Sequence, residues 1–257
     1  VISLVIPTLN EVQNIEPLLD RLGRCEPRPD EIIVVDDGST DGTRERVRTF
    51  AGESRVRLVE RDAPPFGLSG AIVAGAHAAI GDWLVVMDAD LSHPPEKIGE
   101  LLRPLLEGNA DIVIGSRYVR GGSTPGWPVW RKILSRLAAA FAYPITGVHD
   151  SMSGFFAMPR KLLLELAPAA TGFKIAFEVL AQGGRNLQVV EIPILFRDRA
   201  RGVSKMRFGV ALIFALRWLI AMAKRLFRSQ PTPVRLRRQS SVPKPAKSSR
   251  AANSMLP

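Results

Sequence analysis

The chain has 257 residues, 46% of them hydrophobic, and a formal net charge of +10, enough for one substantial core with an appendage. From Arg199 to the end there are 14 Lys and Arg and no Asp or Glu, while the first 198 residues carry 21 basic and 25 acidic side chains. A uniformly basic enzyme is thereby excluded, and the C-terminal portion points to a local anionic partner such as a membrane surface or nucleic acid. The single Cys25 excludes an intrachain disulfide and fits a reducing compartment. No initiator Met opens the chain and a strand follows at once, so a trimmed start is expected.

In chain order, Val1 to Pro7 reads as a strand, with Asn10 and Glu11 at its turn and a helix over Val12 to Leu22. Glu31 to Val35 is a second strand ending in Asp36 and Asp37, then G-S-T-D-G-T, where Ser39, Thr40 or Asp41 suits the cap of a helix beginning at Thr43. Val56 to Glu60 is a third strand. The small-residue helix from Gly67 to Ala79 lacks the G-x-G-x-x-G order of a dinucleotide fold, and its His77 reads as a helix-surface or core residue.

Trp83 to Met87 is an apolar strand that ends in Asp88-Ala89-Asp90, and Pro94 and Pro95 stop it. A bare D-x-D also suits an acidic surface turn. At the carboxyl end of a buried parallel strand, however, two carboxylates hold a divalent cation through oxygen, and a small residue between them leaves room for a metal-bound ligand. A helix over Ile98 to Leu106 and a strand over Asp111 to Gly115 follow, bringing Arg117 to the same edge, where its planar fork suits a phosphate. The alternation predicts an α/β fold with a mostly parallel central sheet and helices on both faces.

Two later stretches bear on lipid. Trp130 to Tyr143 places Arg131, Lys132 and Arg136 on one side of a helix and an apolar surface on the other. Phe208 to Phe227 is apolar but interrupted by Arg217, and Arg207, Lys224, Arg225 and Arg228 join it within an arc of roughly 100° on a helical wheel. That favours a helix lying in the headgroup region over a spanning one, because an arginine at mid-membrane costs about 2.5 kcal/mol or more. From Ser229 on, Pro, Ser and cations without apolar period predict disorder and loose attraction to anionic lipid; interleaved aromatics for nucleic acid are lacking.

Six motifs occur in order: I-P-T-L-N-E (Ile6 to Glu11), V-V-D-D-G-S-T-D-G-T (Val34 to Thr43), M-D-A-D-L-S-H-P-P-E (Met87 to Glu96), G-S-R-Y (Gly115 to Tyr118), D-S-M-S-G-F (Asp150 to Phe155) and D-R-A-R-G-V-S-K (Asp198 to Lys205). Together, over about four-fifths of the chain, they resemble the inverting family-two glycosyltransferases of GT-A fold, and within them the dolichol-phosphate or polyprenol-phosphate mannose synthases. The resemblance implies that Pro7, Leu9, Glu11, Val35 and Asp37 line the nucleotide, that Ala89 touches it, and that Asp88, Asp90 and Ser92 form the Mg²⁺ or Mn²⁺ site. It also makes Asp90, Arg117, Arg199 and Lys205 the catalytic set on the donor diphosphate and acceptor phosphate. Leu9 departs from the family, where tyrosine is common, and cannot supply the same polar contact.

By the same resemblance the donor is GDP-mannose, the acceptor a polyprenyl phosphate, and the place the cytoplasmic face of a membrane; the missing aromatics argue against nucleic acid, and a membrane-protein partner is left open, its identity unknown. The expected layout is a catalytic domain over 1–205, an amphipathic helix over 206–228 and a basic tail over 229–257. UDP-glucose is the alternative donor. An aspartyl phosphotransferase leaves Asp36, Asp37 and Arg117 without a task, and a non-catalytic membrane-docking module leaves the whole ligating set idle.

Overall fold

A computed structural model describes residues 1–51, 55–62, 67–167 and 174–198. The expected Arg199, Lys205, amphipathic helix and basic tail lie outside the described residues.

Strand β1 (Ile2–Thr8) is buried on both faces from Ser3 onward and pairs in parallel with β2 (Glu31–Asp36) on one side and β4 (Trp83–Val86) on the other. β3 (Val56–Glu60) extends the sheet in parallel beyond β2. β6 (Phe156–Pro159) inserts antiparallel between β4 and β5 (Ile112–Ser116), and β7 (Val189–Pro193) closes the far edge parallel to β5. The order is β3-β2-β1-β4-β6-β5-β7, with one strand reversed. Near-continuous Val, Ile and Leu runs are what a strand covered on both faces requires.

Alternation along the strands divides the core. Leu4, Ile6, Val34, Val85 and Met87 face helices α1 (Val12–Leu22) and α4 (Ile98–Leu106), through Ile15, Leu18, Leu101 and Leu105. Val5, Ile33, Val35, Leu84 and Val86 face the other way, onto α3 (Gly67–Ala78), α6 (Arg160–Leu166) and α7 (Ile175–Gly183). α3 sits close because Gly75 has no side chain: a Cβ there would collide with Val5 and come within 3.1 Å of Val35. Helix α2 (Thr43–Ala51) packs at the β2–β3 end. Helix α5 (Val129–Thr146) ends at Gly147, whose φ of 69° is the left-handed stop that glycine adopts without penalty.

Parallel pairing carries the carboxyl ends of β1, β2 and β4 to one edge, where ligands of open α/β sheets bind. The opposite edge is locked by Glu31. Its buried carboxylate accepts Ser3 Oγ at 2.5 Å, the Ile80 amide at 2.6 Å and Arg57 Nη1 at 2.9 Å. Burial alone would raise its pKa; those hydrogen bonds overcome it and hold the pKa below the ordinary carboxylate value. Its stabilisation is therefore fully present above the unfolded-state pKa of about 4.3 and is lost as pH falls through the lower folded value. We expect Glu31→Ala to cost about 2 kcal/mol at neutral pH by leaving buried donors unpaired, and the difference from the parent chain in urea unfolding to shrink on acidification below about pH 4. A pH-independent difference would contradict the role given to the carboxylate.

Candidate active site

The first wall is made by the turns after β1 and β2, which fasten to each other. The Asn10 amide donates to Ser39 Oγ at 2.8 Å, and the Thr40 amide donates back to Asn10 Oδ1 at 2.9 Å. Asn10 has a φ of 53°, which an Asn tolerates better than most side chains. Asp41 accepts the Val12 amide at 3.2 Å and the Thr43 amide at 3.0 Å, so one carboxylate serves the N-termini of α1 and α2 together. Thr43 Oγ1 accepts the Glu11 amide at 2.9 Å, completing the seam.

The adjacent aspartates do different work. Asp36 is fully buried and takes up Gly38 N, Ser39 N, Ser39 Oγ and, at 2.5 Å, Arg44 Nε; despite burial, these hold its pKa below the ordinary value. It organises the turn. Asp37 reaches the same edge with Arg61 Nη1 at 2.7 Å, and burial outweighs that arginine and pushes its pKa up.

Among the residues expected to line a nucleotide, Pro7 and Val35 are register partners in β1 and β2. The side chain of Val35 is fully buried against α3, and its carbonyl accepts Thr8 Oγ1 at 3.2 Å. Any contact from Val35 therefore falls to its backbone. Leu9 is exposed beside the turn, and Glu11 Oε2 accepts Asn14 Nδ2 at 2.7 Å.

The second wall follows β4. Val86 pairs with Val5, so Asp88 emerges next to the end of β1. Asp88 is partly open, with its side chain 34% exposed, whereas Asp90 is buried and accepts the Ser92 amide at 3.1 Å. Between them Ala89 is buried. Leu91 follows with a φ of 61°, a left-handed conformation that costs a branched L-residue roughly 1–2 kcal/mol. Ser92 Oγ is buried and finds no hydrogen-bond partner among the described residues.

Among the described residues no three His, Cys, Asp or Glu cluster to hold a metal. Two carboxylates and an unpartnered hydroxyl do fit a hard cation that draws its remaining ligands from water and substrate phosphates.

His93 occupies the centre of this wall, and sequence reasoning missed it. It is 1% exposed, its Nδ1 accepts the Asp88 amide at 3.2 Å, and its ring stacks on Phe155 and meets the edge of Phe196, with centroids 5.3 and 5.2 Å apart. Burial lowers its pKa, and an accepting Nδ1 means a neutral ring with its proton on Nε2. The available signal was position: a histidine three residues after a D-x-D, just before two prolines.

Arg117 arrives from β5, with its side chain 11% exposed. Its Nε and Nη2 grip Asp150 in a fork at 2.8 and 2.7 Å, and its backbone amide donates to the same carboxylate at 2.8 Å. Burial works against the charge, but Asp150 more than offsets it, and Asp88 adds to the rise in pKa. Glu191 of β7 fixes the Asp150 turn by accepting the His149 and Asp150 amides at 2.9 and 3.0 Å. Trp127 lies between two guanidiniums, Arg131 at 4.0 Å and Arg117 at 5.7 Å from the ring centroid.

Two strand-end carboxylates, a neighbouring hydroxyl and an arginine on one edge can together hold a divalent cation and meet phosphate oxygens. The profile of Glycosyl transferase family 2 matches residues 3–166. The chain belongs to glycosyl transferase family 2.

This glycosyltransferase is 40% identical over 230 residues to the dolichol-phosphate mannosyltransferase of Pyrococcus furiosus, a match covering 87% of this chain and 64% of that protein. It is 37% identical over 217 residues to the dolichol-phosphate mannosyltransferase of Saccharomyces cerevisiae, covering 79% and 80%. The chain thus spans less than two thirds of the archaeal relative's length. The solved glucosyl-3-phosphoglycerate synthase of Mycobacterium tuberculosis, in complex with Mn²⁺, UDP-glucose and glycerol 3-phosphate, superposes with a TM-score of 0.64 at 24% identity, over 89% of this chain and 81% of that one. At that identity the likeness shows the fold, the expected GT-A architecture.

The Arg117 fork sets a prediction. Arg117→Lys keeps the charge but loses bidentate geometry, whereas Arg117→Ala strands the buried Asp150 carboxylate, at a cost of about 3–5 kcal/mol. Thermal unfolding should rank parent, Lys variant and Ala variant in falling order. An Ala variant as stable as the parent would contradict the pairing.

Proposed function

We propose that this glycosyltransferase moves a mannosyl group from GDP-mannose to a dolichyl-type polyprenyl monophosphate, with inversion at the anomeric carbon, on the cytoplasmic face of a membrane. The observation that carries the reading is the presentation of Asp88 and Asp90 at the end of β4, beside the β1 and β2 turns that bear Glu11 and Asp37. The identities to dolichol-phosphate mannosyltransferases support it.

In the proposed reaction an acceptor phosphate oxygen attacks the anomeric carbon, the bond from that carbon to the donor diphosphate breaks, and GDP leaves with the bonding electrons. A phosphate monoester is anionic at neutral pH, so no strong base is needed. The buried His93, with Nδ1 engaged, is accordingly not assigned that part. Asp88, Asp90 and Ser92 would hold Mg²⁺ or Mn²⁺, which when bound neutralises charge on the departing diphosphate. Pro7, Leu9, Glu11, Asp37 and the Val35 backbone would receive base and ribose, and Ala89 would let the nucleotide approach. Arg117, Arg199 and Lys205 would face the phosphates, with Arg117 held rigid by Asp150.

The acceptor's lipid tail requires a membrane surface. On α5, Trp130, Ile133, Leu134, Leu137 and Phe141 form an exposed apolar stripe at helical spacing. An apolar face flanked by cations suits a helix lying in the interface. Among the described residues no helix is long and apolar enough to cross a membrane. We assign 1–205 to catalysis, 206–228 to an interfacial helix and 229–257 to an electrostatic tether.

The test is radiolabelled transfer from GDP-mannose and from UDP-glucose into a polyprenyl-phosphate extract, with and without Mn²⁺. A metal-dependent, acid-labile mannolipid is expected, and Asp90→Ala should lower its rate by at least about 10²-fold. Product from UDP-glucose alone would move the proposal to a glucosyl donor. No product from either, or an Asp90→Ala variant at full rate, would overturn it.

A further inference from the structure

We propose that His93 is a positioning residue that clamps the Asp88–Asp90 turn in its metal-holding shape through the Asp88 backbone amide. The proposal rests on Asp88 and Asp90 being the ligands.

The turn needs a clamp. Leu91 sits in the left-handed region at φ 61°, where a branched side chain stays only if its surroundings hold it. Three hydrogen bonds close the loop around that residue: the Asp88 amide to His93 Nδ1 at 3.2 Å, the Ser92 amide to Asp90 Oδ1 at 3.1 Å, and the Arg197 amide to the Ser92 carbonyl at 3.1 Å. Only the first ties the beginning of the turn to its end. It fixes the main chain of Asp88 directly and so limits where that carboxylate can lie relative to Asp90.

The imidazole is itself immobilised. Phe155 stacks on it at an interplanar angle of 20°, and Phe196 closes it edge-on at 72°. Gly154 allows the close approach: a Cβ there would lie 3.0 Å from Asp88 Oδ2 and 3.2 Å from His93 Cε1. An aromatic filler would need only the ring faces. The accepting nitrogen aimed at a backbone amide is what a phenyl ring lacks, and groups beyond the ligands commonly change metal affinity by about 10–100-fold.

Two substitutions separate the nitrogen from the ring. His93→Phe keeps an aromatic ring and removes the acceptor; His93→Asn keeps an acceptor at the Nδ1 position and removes the ring. Hydrogen exchange at the Asp88 amide, followed without metal, reads the clamp itself. Mn²⁺ binding in the presence of GDP, followed by electron paramagnetic resonance, reads its consequence, and thermal unfolding controls for the fold.

The parent chain should protect the Asp88 amide. His93→Phe should speed its exchange and raise the Mn²⁺ dissociation constant by about tenfold, and His93→Asn should bring both back most of the way at equal or lower thermal stability. Rapid exchange in the parent chain would overturn the proposal whether or not either variant folds. So would parental exchange and Mn²⁺ affinity in His93→Phe, or a folded His93→Asn variant as impaired as His93→Phe. A parent chain that protects the amide but binds no Mn²⁺ with either GDP or UDP would overturn both the metal reading and the role inferred for His93 towards it, whereas loss of the clamp alone leaves the metal reading standing.

Discussion

Parallel pairing of β1 with β2 and β4 is the constraint on which the rest depends. It brings three strand ends to one edge, and each ends in a turn whose side chains have few other places to go. Burial on both faces selects apolar strands, so polar chemistry is displaced to the ends. The reversed β6 does not disturb this, because it lies on the far side of β4 and instead brings the Asp150 turn toward Arg117.

The edge works by dividing its charged groups into those that are spent and those kept available. Asp36, Asp41 and Asp150 are consumed by amides, hydroxyls and arginines, and their task is to hold backbone. Asp88 keeps a partly open carboxylate, and beside it the Ser92 hydroxyl has no partner among the described residues. Rigid, satisfied groups around incompletely satisfied ones are the arrangement that preorganises a site for an ionic ligand. Arg117 belongs to both sets: its charge reaches Asp88, yet its fork is committed to Asp150.

Much of this was legible beforehand. The five strands from β1 to β5 and the helices α1 to α5 were read to within a few residues, because each is a clean apolar run or a helical period bounded by Pro, Gly or acids. Strands β6 and β7 were not. Four residues ending in Pro159, and a strand interrupted by Glu191, carry too little period to register. A different limit hid the roles of Asp150 and His93: the sequence suggested ligand roles for Arg117 and Asp88 but not the side chain that each of them meets within the fold. A backbone amide seeking an acceptor has no sequence pattern. Val35 shows what a motif leaves unsaid: the strand's alternation turns its side chain to the core, so only its backbone is offered at the edge.

The central physical claim is that Asp88 and Asp90 make only part of a cation site and that the donor diphosphate supplies the rest. Calorimetric titration of Mn²⁺ into the protein with and without GDP tests this most directly. The expected result is feeble binding of Mn²⁺ alone and at least about tenfold tighter binding with GDP, the shared coordination that two carboxylates plus phosphates imply. Equal affinity with and without the nucleotide would contradict it.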